Sequence, residues 1–252
     1  MVKVIMNGCN GHMGQVISDI IEKDPEIVIA AGIDLRDEGK NSYPVFSSLQ
    51  ECSVEADVLI DFSSPKAFDA MMDYSVSHQV PVVVCTTGLS EEQQKRLEED
   101  SKKVAVLRSA NMSLGINLLL KLLQEAALTL ANAGFDIEIV EKHHNLKKDA
   151  PSGTALALAD SINEAMEHQY TYKYDRSQSY EPRDKKEIGI SAVRGGNIVG
   201  VHEVIFAGTD EVVEFTHTAY SKAVFGKGAV QAAKYLAGKP AGYYNMSDVI
   251  NA

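Results

Sequence analysis

Cysteine is scarce in this chain of 252 residues. Cys9, Cys52 and Cys85 are odd in number and form neither a CxxC pair nor a disulfide framework, which suits a reducing compartment. Long apolar runs are also missing. None approaches the ~18 residues of a membrane span, so no membrane is expected as a partner. Positive charge is in deficit, with 24 Lys and Arg against 35 Asp and Glu and a formal net charge of -11. A pI near 5.1 disfavours broad attraction to nucleic acid or anionic lipid, and a polyanion would need a local basic patch. Lys142, Lys147 and Lys148 form such a patch, small enough for one anionic metabolite. The start, MVKVIMNGCNG, has no secretory apolar region with a cleavage site and reads as a strand entering a turn. A cytoplasmic protein is expected.

What the chain does have is enough apolar content for a large core. It is 45% hydrophobic and 23% charged, at a size where folds often divide into two domains. Val2 to Met6 is a β-prone run that breaks at Asn7-Gly8, and Met13, Val16, Ile17, Ile20 and Ile21 then recur at helical spacing. Strands follow at 27–33, 56–60, 80–85 and 104–107, with helical patterns from Pro65 to His78 and from Ser90 to Lys103 between them. Pro65 suits a helix start by its fixed φ, and Ser90 suits one as an N-cap with Gln93 three residues on. This alternation predicts parallel βαβ units with right-handed crossovers. A long apolar helix from Leu114 to Asn132 ends near Gly134. Beyond it the texture changes to DIEIVE at 136–141 and to the β-rich runs IGISAVR, NIVGVHEVIFA and EVVEFTHTAY, separated by turn signals. These predict a second sheet with one half-exposed face. The polar segment from His168 to Lys186 reads as the most loop-like part. A final helix over 223–237 is expected to pack back on the first domain.

Gly8-Cys9-Asn10-Gly11-His12-Met13-Gly14 stands between the first strand and the first helix. Glycines there let the main chain approach a pyrophosphate, whose charge is favoured by free N–H groups and the dipole at a helix N-terminus. They equally permit tight strand-helix packing, and the motif alone does not separate the two. Asp34, at the end of the second strand, adds weight to the nucleotide reading, because a carboxylate ~20 residues beyond such a loop is where adenosine ribose hydroxyls bind. Arg36 offers a guanidinium to a 2'-phosphate that Asp34 would repel, so both NADH and NADPH are expected as cofactors. Cys85-Thr86-Thr87-Gly88 follows a strand at its carboxyl end and suits either contact with the nicotinamide half or a plain turn.

EKHHNLKKDAPSGT, at 141–154, gathers two histidines, three lysines and a Ser-Gly-Thr turn. It closely resembles the signature of the dihydrodipicolinate reductases of lysine and diaminopimelate synthesis. The resemblance continues in order through GCNGHMG, DFSSP at 61–65, TTG at 86–88, SANMSLGIN at 109–117 and AVRGGNIVGVHEV at 192–204, and so covers essentially the whole chain. His12 departs from the arginine that many members carry there.

The resemblance implies an α/β fold, a doubly wound parallel Rossmann-type sheet with a second α+β domain for substrate binding and oligomerisation. Residues 1–113 with 222–252 would bind the dinucleotide, and residues 114–221 the substrate. It implies reduction of a cyclic, unsaturated dicarboxylate with hydride from NADH or NADPH. His143 would be the general acid. Lys147 would stabilise the developing anion and pair with a carboxylate. His144, Ser152, Gly153 and Thr154 would complete the substrate site, with the last three opening a helix. Gly8, Asn10, Gly11, His12, Met13, Asp34, Arg36, Cys85, Thr86, Thr87, Ser109, Ala110, Asn111 and Met112 would hold the cofactor. No metal is implied, and family members commonly form homotetramers. Two other classes share some of these features: a semialdehyde or homoserine dehydrogenase, the former needing a cysteine nucleophile, and a non-catalytic NAD(P) sensor, which leaves HHNLK without a purpose.

Overall fold

A computed structural model describes every residue from Met1 to Ala252. The chain forms two compact units, Met1–Ser113 with Ala223–Ala252, and Leu114–Lys222. In chain order the first part contains β1 (Val2–Asn7), α1 (His12–Ile21), β2 (Ile27–Ile33), β3 (Val45–Phe46), β4 (Val58–Asp61), α2 (Phe68–His78), β5 (Val82–Val84), α3 (Glu91–Asp100) and β6 (Ala105–Arg108). The second unit contains α4 (Leu114–Leu130), β7 (Asp136–His143), α5 (Gly153–Ala165), β8 (Thr171–Tyr174), β9 (Glu187–Arg194), β10 (Gly200–Ala207) and β11 (Val212–Ala219). The chain then returns to the first unit with α6 (Ala223–Leu236), β12 (Gly242–Tyr244) and α7 (Met246–Ile250).

The first sheet has seven parallel strands in the order β12-β6-β5-β4-β1-β2-β3. Its strands are short apolar runs because both faces are covered. Alternate residues of one strand belong to different cores: Val4, Met6, Val58 and Ile60 pack with α1 and α6, whereas Ile5 and Leu59 pack with α2 and α3. Each such side chain contributes about 1.5–3 kcal/mol by leaving water. Ser90 caps α3 through a complete capping box with Gln93, as the spacing predicts. The helix expected from Pro65 begins instead with a 3₁₀ turn over Pro65–Ala67 before α2. The helix over 223–237 is α6, whose Ala229, Val230, Ala232, Ala233 and Leu236 join the first-sheet core.

Strand order reverses between β1 and β4. Successive connections run outward through β2 and β3, and the chain then returns to the other side of β1, opening a crevice at the carboxyl ends. Gly8 follows the end of the one strand, and Phe62 and Ser63 follow the other.

The second sheet is mixed, ordered β11-β10-β7-β9-β8. β10 runs antiparallel to β7 and β11, while β7, β9 and β8 are mutually parallel. One face carries Ile137, Ile139, Ile188, Ile190, Val204 and Phe206 against α4 and α5. The segment read as loop-like contains β8, an edge strand that only its parallel partner β9 organises. Its TYKY sequence alternates too briefly to stand out by itself.

Candidate active site

In the second unit, burial along β7 alternates with period two, and Ile137, Ile139, Glu141 and His143 share the inner face. Toward the carboxyl end that face turns from apolar to polar. Glu141 has no exposed surface, and its carboxylate accepts four hydrogen bonds. Arg194 donates two of them, Nη1 to Oε2 at 2.7 Å and Nη2 to Oε1 at 2.6 Å. The Ser152 N–H donates to Oε1 at 2.9 Å, and His143 Nδ1 lies 2.6 Å from Oε2. Burial pushes the Glu141 carboxyl up, but the hydrogen bonds from Arg194 and His143 outweigh it and hold it below the usual range. The bidentate Arg194 and the Ser152 N–H thus hold an anion beside His143 Nδ1.

Neighbouring strands supply the rest. Arg194 is in register with His143 on β9, and His202 with Glu141 on β10. The His202 ring packs edge-on against His143 with centroids 5.1 Å apart, and its Nε2 lies 3.1 Å from Ser152 Oγ. Burial, reinforced by His143, pushes the His202 imidazole down to about 4, so it is neutral near pH 7. Ser152 Oγ also accepts from the Ala155 N–H, capping α5.

Between β7 and α5 the chain brings Lys147 Nζ to 2.8 Å from Asp149 Oδ1. Lys147, with backbone N–H groups that include that of Gly153, holds the Asp149 carboxyl below the usual range. The turn after β9 backs this loop: the Gly195 N–H donates to the His143 carbonyl at 2.9 Å, and Arg194 Nη2 to the Asp149 carbonyl at 2.6 Å. His143, Lys147, Ser152 and Gly153 thus belong to one constellation. Gly153 is exposed at the start of α5 and Thr154 is half-buried. Ser152 is 2% exposed with both its N–H and its hydroxyl engaged inside the unit. His144 lies one residue beyond β7 and is half-buried. Sequence reasoning passed over Glu141 and His202. The signal for Glu141 was present, since the alternation of DIEIVEKH puts it in the apolar register.

In the first unit, Gly8 has φ +81°, and a Cβ there would meet the Phe62 carbonyl oxygen at 2.6 Å. A Cβ on Gly14 would lie 2.3 Å from the Gly8 oxygen. Close packing of the glycine loop is therefore required, and it leaves the N-terminus of α1 without a side-chain cap. That helix has Gly11 as its N-cap, no side-chain cap and no acidic residue in its first turn. Its free N–H groups face no internal anion, which fits a pyrophosphate. His12 is exposed and Met13 half-buried at its start. A cleft of about 440 Å³ lies beside it, lined by Asn7, Gly8, Asn10, Gly11, Asp34 and Ser63 among others. Asp34 braces the loop, accepting from the N–H groups of Asn10 and Leu35 at 2.8 Å each. The Arg36 side chain is 82% exposed, with Nε 3.7 Å from Glu38. Asp61 is buried and accepts from Asn7 at 2.8 Å and from the Ser63 hydroxyl at 2.6 Å, tying the ends of β1 and β4. After β5, Cys85 is half-buried, Thr86 buried and Thr87 exposed; after β6, Ser109 and Asn111 are half-buried, Ala110 exposed and Met112 buried. Burial, with the charge of Asp34, pushes the Cys9 thiol up to about 12, and Cys85 is raised well above its ordinary value. Neither is a ready nucleophile.

A doubly wound parallel sheet with a bared glycine-loop helix, joined to a unit carrying a His, Lys and carboxylate constellation, defines a dinucleotide-dependent oxidoreductase. The family models described as dihydrodipicolinate reductase, N-terminus, and dihydrodipicolinate reductase, C-terminus, match residues 2–112 and 115–250. The chain belongs to the dihydrodipicolinate reductase family, whose reductant is NADH or NADPH and whose place is lysine and diaminopimelate synthesis. It is 51% identical over 254 residues to a 4-hydroxy-tetrahydrodipicolinate reductase of Caldanaerobacter subterraneus subsp. tengcongensis, covering 99% of this chain and 98% of that one. It is 48% identical to the reductase of the same name from Clostridium novyi, with 100% and 99% covered. A dipicolinate-bound dihydrodipicolinate reductase from Paenisporosarcina sp. TG-14 shares the fold, with a TM-score of 0.82 at 23% identity and 98% and 99% coverage.

Proposed function

We propose that the chain reduces the dehydrated form of 4-hydroxy-tetrahydrodipicolinate to tetrahydrodipicolinate, with His143 as proton donor and Lys147 as the fixed positive charge. The observation that carries this reading is the polar end of β7, where His143 is held on Glu141 in the same constellation as Lys147 and the start of α5. The nicotinamide dinucleotide, when bound, supplies the hydride. Hydride addition leaves an electron-rich carbon beside a dicarboxylate, and the protein's part is to protonate that carbon and hold the charge. His143 gives the proton. Lys147 and the N–H groups of Gly153 and Thr154 take a carboxylate, which replaces Asp149 on Lys147. His144 orients the ring, and Ser152 supports from behind by capping α5 and bonding Glu141.

Gly8, Asn10, Gly11, His12 and Met13 hold the pyrophosphate, Asp34 and Arg36 the adenosine end, and Cys85, Thr86, Thr87 and Ser109 to Met112 the nicotinamide half. Both NADH and NADPH serve. The protein works in the cytoplasm, in keeping with three unpaired cysteines. It assembles as a homotetramer through the outer face of the second sheet, where Val193 and Val212 are 45% and 55% exposed.

The test is loss of NADPH absorbance with freshly generated hydroxy-tetrahydrodipicolinate. Turnover is expected, with His143→Ala and Lys147→Ala each lowering kcat by about 10²- to 10⁴-fold. Near-normal turnover in both variants overturns the mechanism, and dinucleotide binding without turnover in the parent protein overturns the activity.

A further inference from the structure

We propose that Glu141 is the positioning residue for His143, fixing the ring so that Nδ1 keeps its proton and Nε2 is the atom that releases one. This rests on the reading of His143 as proton donor and specifies which nitrogen acts and what sets it.

The geometry at this buried strand end is tightly constrained. Arg194 grips Glu141 with both terminal nitrogens, and the Ser152 N–H adds a third donor. Those three contacts fix the carboxylate plane and balance the charge, without which a fully buried anion would be costly. His143 Nδ1 takes a remaining acceptor position at 2.6 Å. Because the carboxylate carries no proton, Nδ1 must carry one whether the ring is neutral or charged, and only Nε2 is left to exchange. The backbone of His143 is held as well, through the Gly195 N–H on its carbonyl.

The side of the ring that bears Nε2 faces Gly200, where a methyl group would lie 3.2 Å from Nε2. His202 flanks the ring from β10 and is neutral near pH 7, so it neither repels a charged His143 nor competes as an acid. The charged and titratable groups around His143 are therefore Glu141 from β7, Arg194 from β9, His202 from β10 and Lys147 from the loop before α5. Among them Glu141 alone is bonded to the ring.

The tautomer is measurable without substrate. In protein labelled with ¹⁵N-histidine, the two ring nitrogens of His143, assigned by comparison with His143→Gln, are expected to show a proton on Nδ1 and a bare Nε2 at a pH where the ring is neutral. Glu141→Gln should shift the population toward Nε2–H. It should also lower kcat on the order of a hundredfold with KM within about threefold, as loss of a buried partner that fixes an imidazole does elsewhere. Glu141→Asp, which keeps the charge, should restore part of kcat. Removing the anion leaves Arg194 unpaired and threatens folding, but the measurement on the unmodified protein stands independently. A proton on Nε2 in that protein overturns the assignment of Glu141 alone. Unchanged kcat in His143→Gln overturns the proton-donor reading and, with it, the purpose assigned to Glu141.

Discussion

At the scale of single residues, the second unit does its work by burying charge only where each charge is answered. Glu141, with no exposed surface, accepts from Arg194, Ser152 and His143. The first unit does the same with Asp61, whose carboxyl is pushed up by burial yet bonded to Ser63 and Asn7. At the proposed adenosine end Asp34 is half-buried and Arg36 exposed. On that reading a carboxylate at Asp34 disfavours a 2'-phosphate, while the Arg36 guanidinium, mostly in solvent and near Glu38, attracts one. Arg36→Ala should therefore lower the NADPH to NADH ratio of kcat/KM. An exposed charge contact is worth about 1 kcal/mol or less, so the expected change is roughly threefold to fivefold. An unchanged ratio would remove Arg36 from the cofactor site.

At the scale of elements, the loop from β7 to α5 holds the proposed carboxylate site already engaged by Asp149. Asp149 already sits on Lys147, and the Gly153 N–H also bears on its carboxylate, so it engages the donors assigned to a substrate carboxylate. Binding must exchange one anion for another. Asp149→Asn should consequently lower KM for the dicarboxylate by up to about fivefold at low salt, an advantage that shrinks as ionic strength rises. Steady-state kinetics across a salt series checks it, and a KM that rises on substitution would make Asp149 a brace of the loop instead of a competitor. The elements themselves were well forecast where periodicity runs long: α1, α3, α4, α6 and β7 follow from apolar spacing and caps. β3, β8 and β12 were not, because these short strands lie at sheet edges and lack the buried apolar run that marks the equally short β4, β5 and β6.

At the scale of the whole molecule, acid should act on the second unit through its buried ionisable groups. An unfolded imidazole takes up a proton near pH 6.5, whereas His202 in the folded chain does so only at about 4. Between those values the unfolded state binds more protons, so this contribution is complete above about pH 6.5 and is lost as pH falls toward 4. Its upper limit is about 3 kcal/mol. Glu141, held below its ordinary range, adds a loss in the same direction at still lower pH. His202→Gln should flatten the fall of Tm between pH 6.5 and 4, and an equally steep fall would place the acid sensitivity elsewhere. Assembly belongs to this scale too: sedimentation equilibrium should return four chains of 27.4 kDa, and a stable monomer would refute the homotetramer. The parallel sheet, the glycine loop with its cofactor class, and the family signature from Glu141 to Thr154 were legible in the sequence alone. These are local patterns, set by apolar period, turn chemistry and contiguous motif. Only the tertiary structure decided that Glu141, Arg194, Gly200 and His202 surround His143. They come from three strands up to 61 positions apart in the chain, and no spacing within a sequence reports which strands a sheet will set side by side.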